Sequence, residues 1–442
     1  MKTKTSQFNL LFFTCLIVLS GNLYGVSGNL LAGTSKINIT PLLVKEPLHD
    51  SLFARCLILD LNGERLGFIS VDLGIYTNRN LGDICREKFG ISQLMISSSH
   101  THSGPRNRDN AHYEAQIIKA VGTAVNDLSP ARITAGHRSF PQLAFNRLVV
   151  RDDGHARESW FPDNHYTSEN PERIPHEPTD REVGVVKIED VKGQPIAIIM
   201  NYGMHADVVC SNYAISADYP GVACKEVEKA FGNKIICLFV QGGGGNQESL
   251  IISSRRTGPD DPFQSDYNTI QRVGELLAYE TIKLTESLHP SSHAETDIKF
   301  MNDSLKFAGR FNKDAEFNIH FSTLLINNEI VIATCPGEPF IQLQLGLKKN
   351  IREASGIPFL FGYTWFNGTW PNYIPDIKSA ALGGYGADQN SPVAMEVGSG
   401  EMIMNKHFEN YLKLNGLMRS VPGPVGFKAG SRWIMTEYPR DK

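Results

Sequence analysis

The run FARCLILDL (residues 53–61), the dipeptide Asn62-Gly63 and the run ERLGFISVD (64–72) follow one another without a break. Asn-Gly between two apolar runs is the strongest short hairpin signal a chain can carry, because both residues accept the left-handed backbone of a tight two-residue turn. This part of the chain is therefore committed to antiparallel strands. VGVVKIEDVKGQPIAIIMNYG (183–203) and STLLINNEIVIATCPG (322–337) repeat the design with other turns. Apolar residues return at helical spacing in HYEAQIIKAVGTAVNDL (112–128), YPGVACKEVEKAFG (219–232) and NTIQRVGELLAYETIKLTESL (268–288). Hairpins interleaved with helices predict an α/β fold, a mixed β-sheet core flanked by helices. No repeat period or low-complexity linker divides the chain, so a single domain is expected. Two long polar loops decorate it, 151–181 with His155, His165 and His176, and 364–401 with Trp365 and Trp370. Loops of that length inside a compact domain are usually functional.

Residues 1–28 carry Lys2 and Lys4, an apolar run from Leu10 to Leu19, and small residues at Gly25, Ser27 and Gly28. That order predicts a signal peptide, cleaved to leave a secreted or periplasmic protein, and its apolar part is too short for a stable transmembrane anchor. The formal net charge is −4, and without a basic run there is no electrostatic reason to expect nucleic acid as a partner. Six cysteines follow the leader: Cys56, Cys85, Cys210, Cys224, Cys237 and Cys335. Several sit in apolar runs, where a buried free thiol is the first expectation, with one or two disulfides as the alternative after export.

The stretch SSSHTHSGP (97–105) ends the strand-like QLMISS with two histidines one residue apart. In an extended chain His100 and His102 project to the same side, where they could share a cation or a substrate, or merely end a strand. The same grammar recurs where AIIMNYGMH runs into His205 and EIVIATCPGE runs into Glu338. Two histidines and a carboxylate from separate strand ends make a common open zinc site with a position left for water.

These segments resemble, in order, those of the neutral/alkaline ceramidases. SSSHTHSGP resembles their THTHSGP signature, FNR (145–147) their Asn-Arg motif, and NYGMH the segment of their second histidine ligand. SADYPG (216–221), FVQGGGGNQES (239–249), PGEPF (336–340) and NYIPD (372–376) are similar to further motifs of that family. The resemblance implies that residues 29–442 form a metal-dependent catalytic domain with one Zn2+ ion. His100, His205 and Glu338 would be its ligands, with Tyr373 a fourth. His102 would face the substrate, and Arg147 would hold a polar or anionic substrate group. Gly243 and Asn246 of the glycine-rich loop are further candidate substrate contacts, and Asp218 is either an acceptor behind a ligand or a helix cap. The implied chemistry is attack of metal-activated water on an amide carbonyl.

Two departures separate the chain from the family. After Asn246 the family has one apolar residue and then a functionally important serine, whereas this chain has Gln247 and Glu248, with Ser249 one place late. The chain also ends soon after the tyrosine region, without the C-terminal sandwich domain of longer ceramidases. The added loops are polar, which leans towards a water-soluble, acidic substrate; the expected partner is a small molecule, a lipid or an oligosaccharide. The first expectation is a hydrolase of N-acyl bonds. The alternative is a zinc lyase or dehydratase acting on uronic-acid oligosaccharides, with Arg147 pairing with the carboxylate and Tyr373 or His102 taking the proton. A third, a secreted binding module, is opposed by the intact His100, His205 and Glu338.

Overall fold

The computed structural model describes residues 23–158, 176–209, 214–251, 267–293, 295–365, 367–388 and 394–418. Two open sheets carry the architecture. The larger has nine strands in the order Ile236–Gln241, Pro195–Tyr202, Glu182–Asp190, Ser129–Ser139, Leu30–Asn38, Phe53–Leu61, Glu64–Val71, Ile91–Ser98 and Thr364–Trp365. The smaller has five, in the order Leu23–Gly28, Thr296–Ala308, Glu316–Ile326, Ile330–Thr334 and Ile357–Phe361.

The near-continuous apolar runs follow from burial on both faces. Along Phe53–Leu61, side chains alternate between two cores. Leu57 and Leu59 meet Phe300, Leu324 and Phe359 of the smaller sheet, while Cys56 and Ile58 meet Ile117 and Ala120 of the helix Asn110–Asn126. The sheets thus pack face to face. Helices Leu81–Phe89, Asn110–Asn126, Asp218–Ala230 and Tyr267–Ser287 cover the outer face of the larger sheet, and Ile341–Glu353 and Ser399–Leu414 cover that of the smaller. The mixed core is therefore a helix, sheet, sheet, helix sandwich.

Asn62 and Gly63, with φ of 56° and 90°, turn the expected hairpin. The three expected helices start and stop within two residues of their predicted limits. Cys56, Cys85, Cys224, Cys237 and Cys335 are buried free thiols, while Cys210 lies outside the described residues. Residues 1–22 also lie outside them. Leu23–Gly28, expected to belong to the leader, instead pairs antiparallel with Thr296–Met301 at the edge of the smaller sheet. Of the polar loop 151–181, His165 and its neighbours from 159 to 175 lie outside the described residues. The 364–401 loop contains short elements of its own, and its Trp365 is a core residue, only 2% exposed.

Three parallel strand pairs position the site. Glu64–Val71 and Ile91–Ser98 are joined through the helix Leu81–Phe89, Pro195–Tyr202 and Ile236–Gln241 through Asp218–Ala230, and Ile330–Thr334 and Ile357–Phe361 through Ile341–Glu353. Such crossovers leave a crevice beyond the carboxyl ends of their strands, where open α/β sheets bind their ligands.

Candidate metal centre

Each of the six crossover strands contributes from its carboxyl end. His100 follows Ile91–Ser98, and its Nδ1 lies 2.8 Å from the carbonyl oxygen of Gly74, just past Glu64–Val71. His205 follows Pro195–Tyr202, and its Nδ1 lies 2.7 Å from the carbonyl oxygen of Gly244, just past Ile236–Gln241. A carbonyl only accepts, so both Nδ1 atoms carry the proton and both neutral imidazoles present a bare Nε2. Glu338 follows Ile330–Thr334, and its Oε2 is 3.4 Å from each of those Nε2 atoms. The Tyr373 hydroxyl stands 3.4 Å from His205 Nε2.

A tetrahedral zinc with bonds of about 2.05 Å holds its ligand atoms about 3.3 Å apart. The three spacings His100–Glu338, His205–Glu338 and His205–Tyr373 match that edge, and the donor types suit the ion, so the residues present fit it. His102 adds a further donor, its Nε2 3.2 Å from His100 Nε2, and the donor atoms of His100, His102 and His205 lie within 4.8 Å of one another. This three-histidine cluster could hold a metal ion. His102 differs from the others in burial: His205 is fully buried, His100, Glu338 and Tyr373 nearly so, and His102 is half-buried, on the open side.

The backbone braces the donors against one another. His100 N donates to Leu73 O, His102 N to Ala206 O, His205 N to Gln247 O and Glu338 N to Asn372 O, all within 3.0 Å. His100, Tyr363 and Asn372 take positive φ of 66°, 54° and 58°, a conformation that costs about 1–3 kcal/mol per non-glycine residue and persists only where surroundings impose it. Burial alone would raise the Glu338 carboxyl, but His100 and His205 hold it well below its ordinary value. Burial alone would lower His100, and Glu338 overrides that and raises it. His102, with burial and two neighbouring imidazoles acting together, is driven well below the usual histidine range.

Arg147, Gly243 and Asn246 take other places than a substrate contact would. The Arg147 guanidinium is 1% exposed. It donates from Nη1 to Glu248 Oε1 and from Nη2 to Gly245 O, both at 2.7 Å, and lies over the rings of Tyr373 and Tyr385 at 5.3 and 4.9 Å. It braces Tyr373 from behind. Asn246 is fully buried and caps the helix Ile341–Glu353: its Oδ1 accepts from Ile341 N and its Nδ2 donates to Gln342. The Gly243 amide donates to Gln344 Oε1 at 2.6 Å. The glycine run is there for packing, since a Cβ at Gly245 would sit 2.4 Å from the carbonyl oxygen of Glu338. Asp218 accepts from Val209 N and Tyr219 N, tying down the segment after His205.

Two further contributors were not given a role from the sequence. The Tyr363 ring packs 4.7 Å from that of His100 and its hydroxyl is 3.5 Å from Glu338 Oε2. Glu248, in place of the family serine, is pushed up to about 7 by burial and by Asp207, with Arg147 opposing. The rise of one buried carboxyl beside another is ordinary, because like charges in a dry site cannot both ionise.

The fold and donor set together define an α/β protein with a histidine cluster that could hold a metal ion at the carboxyl ends of crossover strands. No family model matches the chain. It is 24% identical over 278 residues to neutral ceramidase B of Dictyostelium discoideum, covering 57% of this chain and 38% of that relative, so the chain spans well under half the relative's length. Among solved structures it is similar to the neutral ceramidase from Pseudomonas aeruginosa, with a TM-score of 0.67 at 14% identity over 91% of this chain and 77% of that one. A ceramidase complexed with C2 gives the same score at 13% identity, over 90% and 77%. The chain thus shares the fold of these neutral ceramidases and is distantly similar in sequence to one of them.

Proposed function

We propose that this protein is an exported, zinc-dependent hydrolase of amide (N-acyl) bonds. The observation that supports it most is the convergence of His100 Nε2, His205 Nε2, Glu338 Oε2 and the Tyr373 hydroxyl, with Glu338 3.4 Å from both histidines and Tyr373 3.4 Å from His205, beside a half-buried His102. His100, His205, Glu338 and Tyr373 would hold the ion. A bound zinc lowers the pKa of water towards neutrality and polarises a carbonyl oxygen. His102, kept neutral by burial and its neighbours, is placed to accept a proton from the attacking water. The water oxygen bonds to the carbonyl carbon, the carbon–nitrogen bond breaks, and His102 returns the proton to the leaving nitrogen. Products are a carboxylic acid and an amine. Arg147 orients the Tyr373 ring, and Tyr363 restrains Glu338.

The elimination reading relied on Arg147 as the partner of a uronate, and that guanidinium is committed to Glu248 and Gly245. Hydrolysis is the reading retained. The test is mass spectrometry of N-acyl substrates incubated with the mature protein, with metal content measured in parallel and His205→Ala as control. Cleavage that survives His205→Ala unchanged would remove the metal from the mechanism, and an unsaturated sugar product from uronic-acid oligosaccharides would replace hydrolysis with elimination.

A further inference from the structure

A cavity of about 430 Å³ opens against His100 and His102. Its walls fall into two parts. Leu73, Ile75, Tyr76 and Tyr113 supply apolar and aromatic surface, with the two tyrosine rings edge to face at 6.2 Å. Arg106 and Arg108, both exposed, supply charge. They follow directly on HTHSGP, so the segment that carries the metal-facing histidines also carries two guanidiniums to the cavity.

No acidic residue lines this cavity. Neither guanidinium lies within 4.0 Å of a carboxylate among the described residues, although most other arginines of the fold are paired in that way. The nearest acids are occupied elsewhere. Glu46 accepts from the backbone amides of Arg106 and Lys45, Asp109 accepts from His112 N at the start of its helix, and Glu114 accepts from Asn78. Two arginines without a carboxylate in contact, Arg106 feeling Glu46 only through the longer-range field, at the mouth of a pocket lined by no acid make a site for a carboxylate, sulfate or phosphate, which a guanidinium grips with paired hydrogen bonds.

We propose that Arg106 and Arg108 select substrates bearing an anionic group, held at the mouth of this cavity while the scissile amide lies against His102. This rests on the amidase reading and narrows it from N-acyl compounds in general to acidic ones. Uncharged N-acyl lipids would offer neither guanidinium an anion. Two sources offer the same chemistry: a soluble N-acyl amino acid, or a lipid with an anionic headgroup.

The experiment compares wild-type zinc-loaded protein with Arg106→Gln/Arg108→Gln and with Arg106→Lys/Arg108→Lys. Substrates of one acyl length are used: an N-acyl glutamate in solution, an anionic N-acyl lipid in mixed micelles, and a neutral N-acyl amino alcohol in the same micelles. The expected result is preference for an anionic substrate, with the glutamine pair raising its KM about tenfold or more while kcat changes less than about twofold, and with the lysine pair restoring part of the loss. Preference in the soluble arm or the micelle arm identifies the source. Equal turnover of neutral and anionic substrates, unmoved by the glutamine pair, would overturn the proposal. Succinate binding, followed by thermal shift, separates it from the amidase reading. Arginine-dependent succinate binding with no amide cleaved in any arm retains the anion site and sinks the amidase, whereas cleavage without such binding or preference does the reverse.

Discussion

The donor centre and the cavity beside it share His100 and His102, yet they are built on opposite plans. The donors are buried, cross-braced by one another's backbone amides, and held at the ends of strands that pack on both faces. The arginines of the cavity stand exposed on a loop held at its ends, by Ser103 O accepting from Ser216 N and by Asp109 capping the following helix, and between them by the Glu46 contact to the Arg106 amide. The difference teaches that the two can change separately. A loop can exchange its charges without disturbing the sheets, whereas a donor cannot move without moving its neighbours.

Substitutions can break this contrast, beginning with the largest effect. His205→Ala removes a fully buried donor, and metal measured by mass spectrometry should fall to background with amidase activity down by at least about a thousandfold. Stoichiometric metal in that variant would show that the donors are not a centre at all. Arg147→Met should lower stability by about 3–5 kcal/mol in denaturant titration, because it strands Glu248 in a dry site, and Arg147→Met/Glu248→Leu should recover most of that loss. A stable single variant with only a raised KM would return Arg147 to the substrate. Gly245→Ala forces a Cβ against the Glu338 carbonyl and should weaken metal binding by about 10–100-fold in chelator competition while the fold survives. Metal affinity equal to wild type would mean that Glu338 has room to give. Arg106→Gln/Arg108→Gln should change least, leaving metal content and melting temperature untouched. Any loss of metal in that variant would show the two regions to be one.

The candidate donors could be named from the sequence because a strand that runs into a histidine or a glutamate announces itself within a few residues, and the structure brings them together. IMNYGMH and IATCPGE carry apolar alternation straight into His205 and Glu338. What the sequence could not display was depth. Arg147, Gly243 and Asn246 belong to motifs of the right kind, but only the fold shows their polar groups already occupied by Glu248, Gln344 and the helix Ile341–Glu353. Tyr363 and Asp207 were invisible for a related reason: each acts on a residue far along the chain. The two-sheet arrangement was hidden as well, since Leu57 alternating with Ile58 tells that both faces are covered, and not that one cover is another sheet.

The pairing of Leu23–Gly28 with Thr296–Met301 bears on how the chain is processed. Those six residues close one border of the five-stranded sheet. A leader peptidase that cut after Gly28 would leave the backbone of Thr296–Met301 open along that border, a template for strands of other molecules. A cut before Leu23 leaves the border covered. Under the proposed export, sequencing the mature amino terminus therefore reads out more than an address: a mature chain beginning at or before Leu23 should stay monodisperse on storage, and one trimmed past Gly28 should associate edge to edge.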